Sequence, residues 1–149
     1  AALARLAAWD TPTICNGLEA IDPAWRLRGY TVRAFTCLRP EAKPIVGFAR
    51  TATIRASSQP SAEVQKLRAS YYEYVAAGPT PSVVVIQDLD THPGTGAFWG
   101  EVNTAIHKGL GALGVVTNGS IRDQIDRMRS DGFLGGGLSG PVQTWVITR

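Results

Sequence analysis

The stretch PSVVVIQDLDTHPGTGAFWGEVNTAIHKGLGALGVVT (81–117) decides the fold. Its first ten residues form a continuous apolar run, too short for a helix and too rich in valine, and read as a strand buried on both faces over 81–90. A glycine-bearing loop leads into residues 99–110. There Val102, Ala105, Ile106 and Leu110 recur at helical spacing and predict the buried stripe of a helix, with Glu101 and Lys108 turned outward or toward its ends. Gly111 marks the helix exit, and a second β-branched run over 114–117 reads as a short strand. Strand, helix and strand in this span predict two neighbouring parallel strands joined by a right-handed crossover, and hence an α/β fold.

Working outward, GYTVRAFTC (29–37) and PIVGFARTATIRA (44–56) alternate as strands do, with Gly47 as a bulge or a point of close backbone approach. Residues 61–77 carry Val64, Leu67, Tyr71, Tyr74 and Val75 at amphipathic helical spacing, with Ser61 as N-cap and Gly78 as the stop. Near the start, residues 2–9 predict a short helix. A second helix begins at DTPTICNGLEAI, capped by Asp10 or Thr11, with Pro12 at or near its first position. Beyond the NGS turn, IRDQIDRMRSDG reads as a third helix, stopped by Gly132.

At 149 residues the chain reads as one domain over 1–149, long enough to bury a core. Its first residue is Ala1, so truncation at one or both ends stays open. Apolar residues make up 44% and charged ones 18%, a globular balance without a low-complexity tract. The formal charge of +3 is scattered rather than clustered, which argues against a nucleic-acid surface but leaves room for small anions. No run approaches the ~18 apolar residues of a membrane span. AALARLAAWDTP is too short, and too broken by Arg5 and Asp10, for a signal peptide, so a cytoplasmic location is expected. Cys15 and Cys37 match no metal or redox spacing and are expected as two buried free thiols.

In parallel α/β units, ligands gather beyond the carboxyl ends of the strands. The loop after the 81–90 strand holds Gly94, Gly96 and Gly100. The loop after 114–117 holds Asn118, Gly119, Arg122 and Asp123. A site at that shared edge would combine first-turn N–H groups for a carboxylate, a fixed cation at Arg122, and Asp123 as ligand for a hard divalent ion such as Mg2+, with Glu101 holding one of its waters. By spacing alone, an Arg-Asp pair at a helix start is more commonly a salt bridge or a dipole-favoured acid than a site. His107 reads as a packed or surface residue, while His92 is a minor candidate for substrate contact. Phe98 and Trp99 read as packing or a pocket wall, and the tyrosines as core or interface.

GAFWGEVNTAIHKGLGALGVVTNGSIRD (96–123) has a Gly-acid-aliphatic helix start, a Gly-x-x-Gly helix exit, a strand, a glycine turn and Arg-Asp. In this it resembles the family of regulator of ribonuclease activity A and the 4-hydroxy-4-methyl-2-oxoglutarate aldolases. DTPTICNGLE (10–19) and IVGFARTATI (45–54) fall where that family has its N-terminal helix and its Gly-x-Ala-x-Thr strand. The resemblance implies a swivelling β/β/α fold and homotrimers or hexamers with a site at the subunit interface. It implies backbone N–H groups from Gly100, Glu101, Val102 and Asn103 for the pyruvyl carboxylate. It further implies Glu101 for metal-bound water, Arg122 for the 2-oxo acid and its enolate, and Asp123 for Mg2+ or Mn2+. Two departures stand out. Asn118 replaces an aspartate common in the aldolases, and a C-terminal acidic residue that reaches the neighbouring subunit has no counterpart before Arg149.

The leading expectation is a divalent-metal-dependent lyase. It would cleave 4-hydroxy-4-methyl-2-oxoglutarate or a related 2-oxo acid to release pyruvate, with oxaloacetate decarboxylation as the related reaction. The alternative is a protein-binding regulator of an endoribonuclease, without metal-dependent turnover.

Overall fold

A computed structural model describes residues 2–28, Cys37, residues 43–121 and the backbone of 134–135. In chain order these form α1 (Ala2–Leu6), α2 (Thr11–Ile21), a 3-10 turn (Pro23–Leu27), β1 (Phe48–Ile54), α3 (Ala62–Ala76), β2 (Ser82–Asp88), α4 (Glu101–Gly109), β3 (Ala112–Thr117) and the two-residue β4 (Leu134–Gly135). The strands lie in the order β1-β2-β3-β4, and every neighbouring pair is parallel. The α/β class and the βαβ unit over 81–117 are therefore present. The strand expected over 29–37 and the helix expected after Ile121 lie outside the described residues, apart from the exposed Cys37.

Central position explains why β2 lacks polar alternation. Flanked by β1 and β3, it buries Ser82, Val83, Val84, Ile86 and Asp88. Its valines and isoleucine suit a strand covered on both faces. Val84 and Ile86 join Val75 of α3, Trp99, Ala112 and Val115 in the core. Burying each such side chain contributes roughly 1.5–3 kcal/mol.

Local chemistry sets the element ends. Asp10 caps α2, its Oδ1 accepting from Thr13 N at 2.8 Å, with Pro12 in the first turn where no N–H is needed. Ser61 caps α3 through Val64 N at 3.3 Å. Gly111, at φ 84°, takes the left-handed turn that carries the chain from α4 into β3. Gly47 is a close-approach point: a Cβ there would lie 2.8 Å from Ser82 C and 2.9 Å from Pro81 O.

Four expectations need correcting. The apolar stripe assigned to α4 is only half inward: Ile106 and Leu110 are half-buried, Leu110 against the core, but Val102 is 64% exposed and Ala105 is exposed, while Asn103, Thr104 and His107 are buried. Polar residues can occupy that inner face because Tyr71, Tyr72 and the Phe98 carbonyl supply hydrogen-bond partners to Asn103 and His107. The stripe of α3 is likewise rotated. Tyr71, Tyr72 and Val75 face inward, whereas Val64, Leu67 and Tyr74 are exposed, the last with its ring 3.7 Å from the Arg50 guanidinium. The cysteines are free but not buried. Cys15 is half-buried on α2, a helix with no buried residue, and Cys37 is exposed. The first helix is also shorter than expected, ending at Leu6.

Candidate functional site at the carboxyl edge of the sheet

The two loops expected to converge do so. Asp88, the last residue of β2, is buried and accepts two main-chain hydrogen bonds. Asp90 N donates to its Oδ1 at 2.9 Å and Gly94 N donates to its Oδ2 at 2.8 Å. Gly94 sits at φ 90°, a conformation that glycine adopts without strain. From the other loop, Ser120 Oγ donates to Gly94 O at 2.8 Å, and Trp99 and Ile121 form a parallel bridge. The chain leaving β3 is thus stitched to the chain leaving β2 just before Arg122.

Asn118 has a specific job here. Its Oδ1 accepts from Asp88 N at 2.6 Å and its Nδ2 donates to Asp88 O at 3.0 Å. The last β2–β3 pair in register is Ile86 with Thr117, so this side-chain amide continues the ladder where β3 has ended. Gly119 N then turns back onto Thr117 Oγ1 at 2.9 Å. An aspartate at 118 would keep the acceptor but lose the donor, so asparagine suits a clip to main chain on both sides.

A second carboxylate closes the β1 side. Asp90 accepts from Ala56 N and Ser57 N at 2.8 Å each and from Ser57 Oγ at 2.7 Å. The Ser57 hydroxyl foremost, then the Ala56 N–H, hold its carboxyl below the usual aspartate value. Asp88 and Asp90 are thereby committed to ordering the loop. Gly96 passes so tightly over Ala56 that a side chain there would collide with it.

The loop delivers the chain to Gly100, the N-cap of α4, which has no side-chain cap bond. The first ladder bond of α4 runs from Thr104 N to Gly100 O at 2.9 Å. The main-chain amides ahead of it emerge at the helix's N-terminal end, where the dipole favours an anion. Gly100 is buried, Glu101 and Val102 are exposed, and Asn103 is 8% exposed. Gly100 to Asn103 thus share one helix end beside the Ser120–Ile121 segment. Arg122 and Asp123 lie outside the described residues.

Behind the helix end stands a polar-aromatic cluster. His107 Nδ1 faces the Asn103 carbonyl at 2.5 Å and must carry the proton there, so Nε2 accepts from Tyr71 Oη at 2.7 Å. Burial pushes the His107 pKa down and the Tyr71 pKa up, which keeps both neutral near pH 7. Trp99 packs on the imidazole at 4.5 Å between ring centroids, with Phe98 and Tyr72 around it. His107 is thus a packed residue, as expected, and Trp99 is core. His92 is exposed, and its carbonyl accepts from Thr95 Oγ1 at 2.7 Å.

The loop-ordering roles of Asp88, Asp90 and Ser120 escaped the sequence reading. A carboxylate ending a buried apolar strand just before a glycine-rich loop was the available signal for Asp88.

For a divalent ion, the test is the donor set. Among the described residues no group of three or more His, Cys, Asp or Glu side chains could hold a metal. Magnesium, however, takes only one or two carboxylates and keeps several waters. Glu101 is an exposed carboxylate at the first turn of α4, and Asp88 and Asp90 bond main-chain amides of the loops after β2 and β1 respectively.

A parallel α/β sheet whose strand-end loops meet at a glycine-capped helix belongs to the class of α/β folds that gather ligands at the carboxyl edge of the sheet. Within that class, this chain belongs to the RraA-like family (Aldolase/RraA), whose family model matches residues 11–133. No curated protein matches the chain. A solved structure described as "Crystal structure of novel cellulases from microbes associated with the gut ecosystem" is similar in fold. It has a TM-score of 0.63 and 21% identity, over 91% of this chain and 56% of that one. The chain therefore spans little more than half the length of that structure. Among the described residues, no helix is long and apolar enough to cross a membrane.

Proposed function

We propose that the protein is a carbon–carbon lyase acting on a 2-oxo acid, with 4-hydroxy-4-methyl-2-oxoglutarate as the leading substrate and oxaloacetate decarboxylation as the related activity. The observation that carries this reading is the glycine-capped start of α4, brought against the Ser120–Ile121 segment that leads into Arg122 and Asp123. Family membership supports it, because the family's own description names aldolases.

The main-chain amides of Gly100 to Asn103 receive the substrate carboxylate. Arg122, always charged, grips the 2-oxo acid and the enolate oxygen that forms as the C3–C4 bond breaks. Asp123 would hold Mg2+ or Mn2+, with Glu101 on one of the ion's waters. The ion would supply Lewis acidity at the carboxylate and keto oxygens. As that bond breaks, the C4 hydroxyl gives up its proton to water and C4 becomes the ketone of the second product, while the enolate takes a proton at C3 and leaves as pyruvate.

The test is pyruvate release from 4-hydroxy-4-methyl-2-oxoglutarate with magnesium or manganese. Asp123→Asn should abolish it and Arg122→Ala should reduce it sharply. A folded protein inactive on every 2-oxo acid tried with metal present would remove this reading.

The second reading, a regulator that binds an endoribonuclease, is favoured by the other half of the family's description. It requires ribonuclease binding that survives Asp123→Asn. A homotrimer or hexamer belongs to both readings. Sedimentation at micromolar concentration is the check, and a stable monomer would count against an interface site.

A further inference from the structure

Asn103 is held at three of its own atoms. Its Oδ1 accepts from Tyr72 Oη at 2.6 Å, its Nδ2 donates to the Phe98 carbonyl, and its main-chain oxygen accepts from His107 Nδ1. His107 is in turn fixed by Tyr71 Oη. Both tyrosines belong to α3 and both of their partners to α4, so these hydroxyls tie one helix to the other. They do so at the N-terminal half of α4, where Val102 and Ala105 face away from the core and apolar burial comes only later, at Ile106 and Leu110. Asn103 also closes the group of amides at the start of α4, just before the ladder bond from Thr104.

We propose that Tyr72, with the Tyr71–His107 pair behind it, is a positioning residue that aims the N-terminal amides of α4 at the substrate carboxylate. The assignment rests on the lyase reading of that helix end. Hydrogen bonds weaken steeply once their angle falls below about 120°. A helix end free to rock would therefore lose affinity for the carboxylate while leaving Arg122 and Asp123 in place. The expected signature is a loss in binding with turnover at saturation preserved.

The experiment is a titration of the protein with sodium pyruvate in magnesium chloride, read by 15N-edited NMR at the amides of Val102 and Asn103, beside steady-state pyruvate release. In the wild type both amides should shift on adding pyruvate. Tyr72→Phe removes one oxygen and keeps the ring. It should weaken pyruvate binding and raise KM about five- to tenfold, equivalent to roughly 1–1.4 kcal/mol, with kcat within about twofold. Tyr71→Phe should act in the same direction. Tyr74→Phe, the same deletion on the same helix but beside Arg50, should change neither quantity. If Tyr72→Phe and Tyr71→Phe bind pyruvate as tightly as the wild type, the positioning role is wrong and the lyase reading stands. If the wild-type amides do not respond to pyruvate at all, both fall together.

Discussion

Replacing Asn118 by alanine should uncouple the end of β2 from the turn that follows β3. The substitution removes the acceptor of Asp88 N at 2.6 Å and the donor to Asp88 O at 3.0 Å in one step. Asp88 is 2% exposed, so its peptide groups cannot simply turn to bulk water. A buried polar group left unbonded costs ~1–3 kcal/mol. Asn118 is itself only half-buried, so a water can enter the vacated space and recover part of the loss. Two such groups amount to about 2–6 kcal/mol, and recovery by water brings the loss to the low end, about 2 kcal/mol. At this chain length each kcal/mol moves the midpoint roughly 2–4 °C, so the melting temperature should drop by about 4–8 °C. Asn118→Asp keeps the acceptor and sets a carboxylate oxygen against the Asp88 carbonyl, so at neutral pH it too should melt below the wild type. Circular dichroism melts of the three proteins, with reversibility checked, provide the comparison. Should Asn118→Ala melt together with the wild type, the side-chain rung contributes nothing and the reasoning fails.

Other expectations follow from single contacts. Gly47→Ala forces a methyl group against the main chain of Pro81 and Ser82, and overpacking of this kind costs ~1–3 kcal/mol, measurable as a lower urea midpoint with an unchanged slope. His107 has its folded pKa below the ordinary 6.5, so below that value the unfolded chain binds a proton that the folded chain refuses. Stability should therefore fall as pH drops through 6.5 toward the folded value. His107→Gln should flatten that slope in urea titrations at pH 7, 6 and 5, and an unchanged slope would count against the buried neutral imidazole. Asp90 is displaced downward from 3.8, so its contribution is present above that pH and is lost as pH falls through the folded value. In Asp90→Asn, acid unfolding should begin from a lower starting stability and show a shallower limb below pH 4.

How much of this was visible in the sequence depends on how far apart the partners lie. β2 and the 114–117 half of β3 were legible because a short β-branched run bounded by turn residues suits a strand buried on both faces. The helix starts at Asp10 and Ser61 were legible because each cap bonds an amide three residues ahead. The inward face of α4 was not. Periodicity counts apolar residues, and Asn103 and His107 are buried through tyrosine hydroxyls 31 and 36 residues earlier in the chain. The clip at Asn118 was visible as a departure but not as a bond, since its partner lies 30 residues upstream. The convergence of the two loops followed from topology alone, whereas the roles of Asp88 and Ser120 within it needed coordinates.

A side chain that stands in for main chain releases the main chain from that duty. Because the amide of Asn118 seals both peptide groups of Asp88, the backbone after β3 can leave the sheet at Gly119 without stripping β2 of its last partner. Exchanges in the chain just beyond Ile121 would then leave the pairing of β2 with β3 intact. A family that tailors one scaffold to different tasks gains from such a separation. In this chain the clip at Asn118 is the place to leave alone, because the end of β2 depends on it.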